Sequence, residues 1–289
     1  MLVFAPLYGK DSLMDFTLYW FMFPVAIVVA TCAMLSGIGG AALFTPIFVL
    51  LFPILGPEYV LASTFAAIST ALLTQTFGFL SGFVGYYRRR MIDFDLAMRF
   101  VKITVPIGIL GALVAHRVHD GMLIAAYAIL VFVLAIGMLF LRKQPFSRPN
   151  YDDASRRPEI KSSDVYLAGG GAFLTGLVSV GIGEVLISRL TKRRIPVGIA
   201  AATSVAIVFA TILAATTTLV TQLIRDGGVG AVPWNLIMYE VPGVLIGGQI
   251  GPRLAGRVSQ RTMERSIGIL FVFLAVAMMS VALRKLGAI

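Results

Sequence analysis

The chain has 289 residues, of which 58% are hydrophobic and only 13% are charged. Soluble domains carry about 25% charged residues, so this composition excludes a soluble protein with an ordinary water-facing surface. The net charge is +10. The basic residues stand in short runs between apolar segments, which argues against nucleic-acid binding and is typical of a polytopic membrane protein.

The N-terminal segment, 1–15, lacks the basic start and small-residue cleavage site of a signal peptide. We expect it to remain as an extracytoplasmic segment. Ten apolar segments follow, and their length and lack of alternation predict helices, not strands. Three of them are short and flanked by Gly, which favours re-entrant or broken helices. The ten segments are 16–36, 38–55, 59–86, 96–116, 121–141, 164–179, 181–191, 196–224, 233–252 and 264–284.

One long polar stretch, 142–163, divides the apolar segments into membrane repeats 16–141 and 164–289. It is rich in Pro and charge, which predicts a cytoplasmic linker. The halves share landmarks in the same order, which indicates an internal duplication. These pairs are Gly37-Ile38-Gly39-Gly40 with Gly181-Ile182-Gly183-Glu184, Ala62-Ser63-Thr64 with Ala201-Ala202-Thr203, and Val105-Pro106 with Val241-Pro242.

Most Lys and Arg residues lie in four connections, 86–102, 142–161, 189–194 and 253–265. Threading ten segments places all four on one side, which the positive-inside rule makes the cytoplasm. Both termini are then extracytoplasmic. Each half crosses an odd number of times, so the sequence predicts an all-α membrane protein with two inverted-topology repeats of five segments. Inverted repeats are typical of secondary transporters.

Two Gly-rich breaks occupy corresponding positions in the halves, at 36–40 and 179–184. Broken helices so placed predict a transport site, because a half-helix N-terminus offers free N–H groups to an anion. Glycines that only allow close helix packing are the alternative. The predicted substrate-binding residues of the breaks are Ser36, Gly37, Gly39, Gly40, Gly181 and Gly183.

Two acids fall within or beside apolar segments and are candidates for coupling or gating. Glu184 replaces the fourth glycine of the first break, and Glu240 precedes Pro242 in the ninth segment. An acid inside a membrane predicts a function by default. The alternative for each is a structural ion pair, with Arg189 as one candidate partner of Glu184.

Hydroxyl and amide side chains also interrupt the apolar segments. The third segment contains Ser69, Thr70 and the run Thr74-Gln75-Thr76. The equivalent residues Thr64 and Thr203 are predicted to face the ligand, and Gln249 is a further candidate. Such side chains also serve as contacts between membrane helices, so both interpretations stay open.

A membrane enzyme, or an assembly subunit without transport of its own, is the alternative function. The sequence has no nucleotide-binding or metalloprotease motif, and it predicts no cofactor and no metal. Only His116, His119 and Asp120 combine candidate acid and base groups, and they lie in one short loop. The expected partners are a small anionic substrate, the lipid bilayer and possible further copies of the chain.

These motifs together resemble the TauE/SafE (sulfite exporter) family of bacterial membrane permeases. The resemblance rests on Ser36-Gly37-Ile38-Gly39-Gly40 with Pro46, on Ala62-Ser63-Thr64, on Gly85-Tyr86 with Met91-Ile92-Asp93-Phe94, and on the repeat of the pattern in the second half. It implies ion-gradient-driven transport of small anions, often sulfite or organosulfonates. Glu184 and Arg189 depart from the small or apolar residues usual in the second motif.

Overall fold

The computed structural model describes residues 17–36, 39–141, 162–192, 195, 197–254 and 260–287. Within them the chain is helical and has no strand, so the predicted all-α class is confirmed. The linker that the sequence places at 142–163 lies almost entirely outside the described residues. The linker and the division into two repeats therefore both stay predictions.

The described residues contain ten α-helical elements, numbered α1 to α10, and each overlaps one of the predicted apolar segments. A π-helical turn, Ile47–Leu51, lies inside α2 directly after Pro46. The helices are α1 Met22–Ser36, α2 Ala41–Leu55, α3 Thr64–Arg88, α4 Phe94–Arg117, α5 Asp120–Ile136, α6 Ser162–Val178, α7 Ile182–Lys192, α8 Val197–Gly227, α9 Trp234–Leu254 and α10 Gln260–Lys285.

Among the described residues, five helices (α3, α4, α5, α8 and α10) are long and apolar enough to cross a membrane. Helices α1 and α2 are shorter and also apolar. The structure therefore supports a protein that crosses the membrane several times. That all ten segments enter the membrane stays a prediction.

One end of the bundle is marked by Asp120, the first residue of α5. Its carboxylate accepts hydrogen bonds from the Thr64 backbone N–H (2.9 Å) and from Lys285 Nζ (3.3 Å). His116 and Asp226 form an ion pair, 3.4 Å apart. The starts of α3 and α5 and the ends of α4, α8 and α10 thus lie together, and we call this the Asp120 end.

The opposite end is marked by Asp93, the N-cap of α4. The Asp93 backbone N–H donates to Thr203 Oγ1 at 3.1 Å, and the Asp93 side chain accepts from the Leu96 N–H at 2.9 Å. The end of α3 and the starts of α4 and α8 therefore lie together. We call this the Asp93 end.

Two helical hairpins, α1–α2 and α6–α7, enter the bundle from opposite ends. Near the Asp120 end, Tyr19 Oη donates to the Tyr59 carbonyl at 3.2 Å, so the chain just before α1 lies close to the chain just after α2. For the other hairpin, Asp164 and Arg189 are 3.9 Å apart, which joins the start of α6 to the last turns of α7. Helix α8, which follows α7, begins at the Asp93 end.

Each hairpin packs tightly on a helix of the other half. A Cβ at Gly111 of α4 would lie 2.1 Å from the Phe173 carbonyl oxygen of α6, and one at Gly247 of α9 would lie 2.5 Å from the Ile27 carbonyl oxygen of α1. Only glycine allows backbones to approach this closely. The long helices α3 and α8 pack against each other between these pairs.

Candidate functional site

The tips of the two hairpins meet at a small buried cavity. Thr45 Oγ1 of the first hairpin and Ser179 Oγ of the second are 3.1 Å apart. Helices α3 and α8 complete the wall. The lining residues are Gly39, Gln75, Phe79, Thr175, Ser179, Val180, Gly181, Ile182, Gly183 and Val208.

Helix α2 begins beside this cavity, and Gln75 of α3 accepts a hydrogen bond from its first N–H group. The Ala41 backbone N–H donates to Gln75 Oε1 at 2.6 Å. The Gln75 side chain also limits the residue before α2, because a Cβ at Gly39 would lie 2.7 Å from Gln75 Nε2. A side chain at Gly39 would therefore force the Gln75 amide to move, and the predicted role of Gly39 in ligand binding stays a prediction.

Helix α7 begins at the same cavity from the opposite direction. The Ile182 backbone N–H donates to Thr175 Oγ1 at 2.8 Å. The turn before it is unusual, because Ser179 has φ +65° and Gly181 has φ +139°. A non-glycine residue with positive φ costs about 1–3 kcal/mol and persists where its surroundings hold it. Here the Ser179 hydroxyl donates to the Val178 carbonyl at 2.6 Å.

The other predicted residues of the breaks have different positions. Gly40 is buried at the start of α2, and a Cβ there would meet Ala33 and Phe44 at an ordinary 3.7 Å. Gly40 therefore does not need to be glycine for steric reasons. Gly37 lies outside the described residues, as do the side chains of Ser36 and Glu184, so the predictions for them stay untested.

Thr64, Thr203 and Gln249 are not among the residues that line the cavity. Thr64 accepts from Lys285 Nζ (3.2 Å) at the Asp120 end, and Thr203 accepts from the Asp93 N–H at the Asp93 end. Gln249 Nε2 donates to Ser81 Oγ at 2.7 Å. The described contacts of the two threonines join helix ends.

Glu240 is completely buried on α9. Its Oε2 accepts from Thr74 Oγ1 at 2.5 Å, and its Oε1 has no hydrogen-bond partner within the described part of the chain. Thr74 directly precedes Gln75, so neighbouring residues of α3 contact the buried acid and the start of α2. Glu240 does not line the cavity. Its partner Thr74 is, however, adjacent in sequence to Gln75, which does.

The histidine cluster of the alternative hypothesis is divided among separate contacts. His116 pairs with Asp226, His119 Nδ1 accepts from the Gly121 N–H at 3.2 Å, and Asp120 holds Thr64 and Lys285. No group of three metal-binding side chains occurs among the described residues. These side chains connect helix ends instead of converging on one point.

Hydroxyl and amide groups, not charges, form the polar part of the cavity. None of the ten described lining residues has a side chain that is charged at neutral pH. Each helix N-terminus carries about half a positive charge, so the starts of α2 and α7 together present about one. The cavity leaves about 10 Å³ for the centre of a water molecule, roughly the space for one ordered water.

Gln75 is one of the polar residues of the third segment, but it is not among the substrate-binding residues predicted from the sequence. A signal was present: Gln75 lies eleven residues after the start of α3, about 16 Å along the helix, which is near the middle of a bilayer core of about 30 Å. Thr175 carried no comparable signal, because one hydroxyl among apolar residues is common in membrane helices.

In the described parts of the chain, an all-helical bundle with five helices that could cross a membrane is typical of multi-pass membrane proteins. Comparison with known families agrees. The family model described as "Sulfite exporter TauE/SafE" matches residues 22–278. That match covers most of the chain, so this protein belongs to the TauE/SafE family, and the resemblance found in the sequence is confirmed.

Two curated relatives come from Bacillus subtilis (strain 168). "Probable membrane transporter protein YjnA" is 27% identical over 247 residues, covering 81% of this chain and 90% of the relative. "Probable membrane transporter protein YunE" is 22% identical over 268 residues, covering 86% and 93% respectively. No solved structure matches the chain. The family and these relatives confirm the transmembrane and transporter assignments.

Proposed function

We propose that this protein is a secondary transporter of small anions, with sulfite and organosulfonates as its expected substrates. The observation that carries the proposal is the meeting of both Gly-rich breaks at one buried cavity, where α2 and α7 begin. Helix N-termini favour negative charge. The family description names sulfite export, and it supports this substrate class for the present chain.

The proposed mechanism is alternating access between two inverted repeats, α1–α5 and α6–α10. Its support is the packing pattern: α1 lies on α9 and α6 lies on α4, which are equivalent pairs when the halves are superposed in order. The hairpins also open toward opposite ends. In such architectures one repeat moves against the other around a central site.

We further propose that the Asp93 end faces the cytoplasm and that both termini are extracytoplasmic. Arg88, Arg89 and Arg90 are exposed at this end. Helix α8 also begins there, following the basic connection 189–194. The positive-inside rule then orients the bundle in the inner membrane of a bacterium.

The site selects anions by hydrogen bonds and helix dipoles, without a cationic side chain among its described lining residues. About one positive charge from the two helix starts balances one negative charge. Singly charged sulfonates and hydrogensulfite suit this arrangement better than a dianion such as sulfate, which would bring one uncompensated charge into a buried site. Since the cavity is the size of one water, entry of any of these anions requires the hairpin tips to separate.

Purified protein in liposomes tests the proposal. We expect wild-type protein to exchange labelled ethanesulfonate or sulfite. Gln75→Glu keeps an acceptor for the Ala41 N–H (2.6 Å) but adds a negative charge at the cavity, so we expect at least a tenfold loss of anion affinity. Gln222→Glu makes the same change outside the cavity lining, near the C-terminal end of α8. For this variant we expect near-wild-type exchange. No exchange of any anion by folded wild-type protein would refute the function. Equal effects of the two substitutions would refute the site.

A further inference from the structure

The described contacts of Glu240 satisfy only half of its buried carboxyl group. It is completely buried on α9 and has one described hydrogen bond, the 2.5 Å contact with Thr74 Oγ1. Its second oxygen, Oε1, has no partner within the described residues. A side chain kept for structure alone would serve as well if it were apolar, because a half-satisfied buried polar group is destabilising.

The helices around Glu240 provide no cation for it. Helices α1 and α3 pack against α9, and α2 contributes side chains to the same apolar cluster. Helices α1 and α2 contain no Asp, Glu, Lys, Arg or His, and the only such residue of α3 is Arg88, at the Asp93 end. The other titratable side chains on these elements are Cys32, Tyr86, Tyr87 and Tyr239. A carboxylate without a cation is costly at this depth, which favours the neutral carboxylic acid in this conformation.

Helix α3 connects this acid to the cavity through consecutive residues. Thr74 bonds to Glu240, while Gln75 accepts the Ala41 N–H at the start of α2. Because both side chains belong to one rigid helix, a shift of α3 that opens the cavity also changes the contact with Glu240. Pro242 follows two residues later and removes a hydrogen bond from α9, which allows that helix to bend beside the acid.

We propose that Glu240 is the proton-carrying residue that couples anion passage to a proton gradient, an inference that rests on the proposed function. The carboxylic acid releases one proton to water when the hairpins open toward one side, and the carboxylate retains the hydrogen bond from Thr74. The anion leaves on that same side. Once the bundle has reopened toward the other side, the carboxylate regains one proton there together with the next anion. One proton moves with one singly charged anion, so the cycle is electroneutral.

Proteoliposomes with an internal pH dye and labelled ethanesulfonate test this role. In wild-type protein, we expect anion entry to be accompanied by a proton flux and a transmembrane pH difference to drive accumulation. We expect Glu240→Gln, which keeps an acceptor for Thr74, to lose at least nine-tenths of both. Glu240→Asp retains a titratable group and should recover part of the proton flux. Glu58→Gln, the same change at an exposed turn, is the matched control.

Three outcomes separate the two proposals. Anion-coupled proton flux in Glu240→Gln equal to that of wild type would overturn the inference and leave the transport function standing. No anion movement by folded wild-type protein would instead refute the function itself. If Glu240→Gln moves no anion, infrared spectroscopy decides. A protonated carboxyl band that is present in wild type and absent from the variant supports the inference, and equal bands in both proteins overturn it.

Discussion

Substitution of Gly39 by Ala isolates the contact between the first break and Gln75. The new Cβ would lie 2.7 Å from Gln75 Nε2 and 3.2 Å from Gln75 Oε1, so the amide has to move away. The displaced amide releases the Ala41 N–H that it now accepts at 2.6 Å. A buried donor without a partner costs about 1–3 kcal/mol. We therefore expect a destabilisation of about 1–2 kcal/mol and a loss of anion affinity of about tenfold.

Gly40→Ala is the matched control, one residue later. Its Cβ would meet Ala33 at 3.7 Å, and Gly40 has helical φ of −58°. Replacing glycine where the conformation allows it stabilises by about 0.4–1 kcal/mol. We expect this variant to be as stable as wild type or slightly more so. Unfolding titrations in mixed micelles and ethanesulfonate exchange in liposomes measure the two quantities.

A double-mutant cycle shows whether Gly39 acts through Gln75. Gln75→Ala already removes the acceptor, so adding Gly39→Ala should cost almost nothing further. The coupling free energy should then be about 1–2 kcal/mol, whereas independent sites would give values near zero. Additive effects, or a Gly39→Ala variant that matches Gly40→Ala in stability and exchange, would refute the reasoning about this break.

Two further predictions concern packing and orientation. Gly111→Ala should destabilise by more than about 3 kcal/mol, or prevent folding, because its Cβ would lie 2.1 Å from a backbone carbonyl of α6. Gly137→Ala, with nothing within 4 Å of its Cβ, should be tolerated, and equal stability of the two variants would contradict the assigned contact. In a Cys32→Ser background, single cysteines at Glu58 and Asp95 should react with impermeant reagents from the outer and cytoplasmic faces respectively, and labelling from the same face would overturn the proposed arrangement.

The sequence was sufficient to predict the helices because their apolar runs are long and punctuated by Gly and Pro. The two breaks could also be located, since each carries several glycines in register with the other. The tertiary role of each glycine could not be read in the same way. Gly39 is held against Gln75, whereas Gly40 has ordinary space for a side chain. Adjacent identical residues give no indication of this difference, which depends on where α3 lies.

Polar residues were harder to assign for the same physical reason. Thr64 and Thr203 are equivalent in the predicted duplication, but the structure places them where helix ends are joined, near Asp120 and Asp93. Gln75 has no polar counterpart in that alignment, yet it lines the cavity. Internal symmetry identifies residues with the same position in each repeat, and an asymmetric ligand site uses residues that break this symmetry.

The crossed packing of the hairpins explains why motion and binding would be coupled in this fold. Each hairpin lies against a helix of the other half, with Gly111 and Gly247 allowing backbone contact. Separating such contacts by about 0.5–1 Å loses a quarter to a half of their attraction. In the proposed movement, each hairpin would therefore move with the helix that holds it, α6 with α4 and α1 with α9. The pair α1 and α9 also contains Glu240, so separation of the hairpin tips and exposure of the buried acid would be parts of one movement.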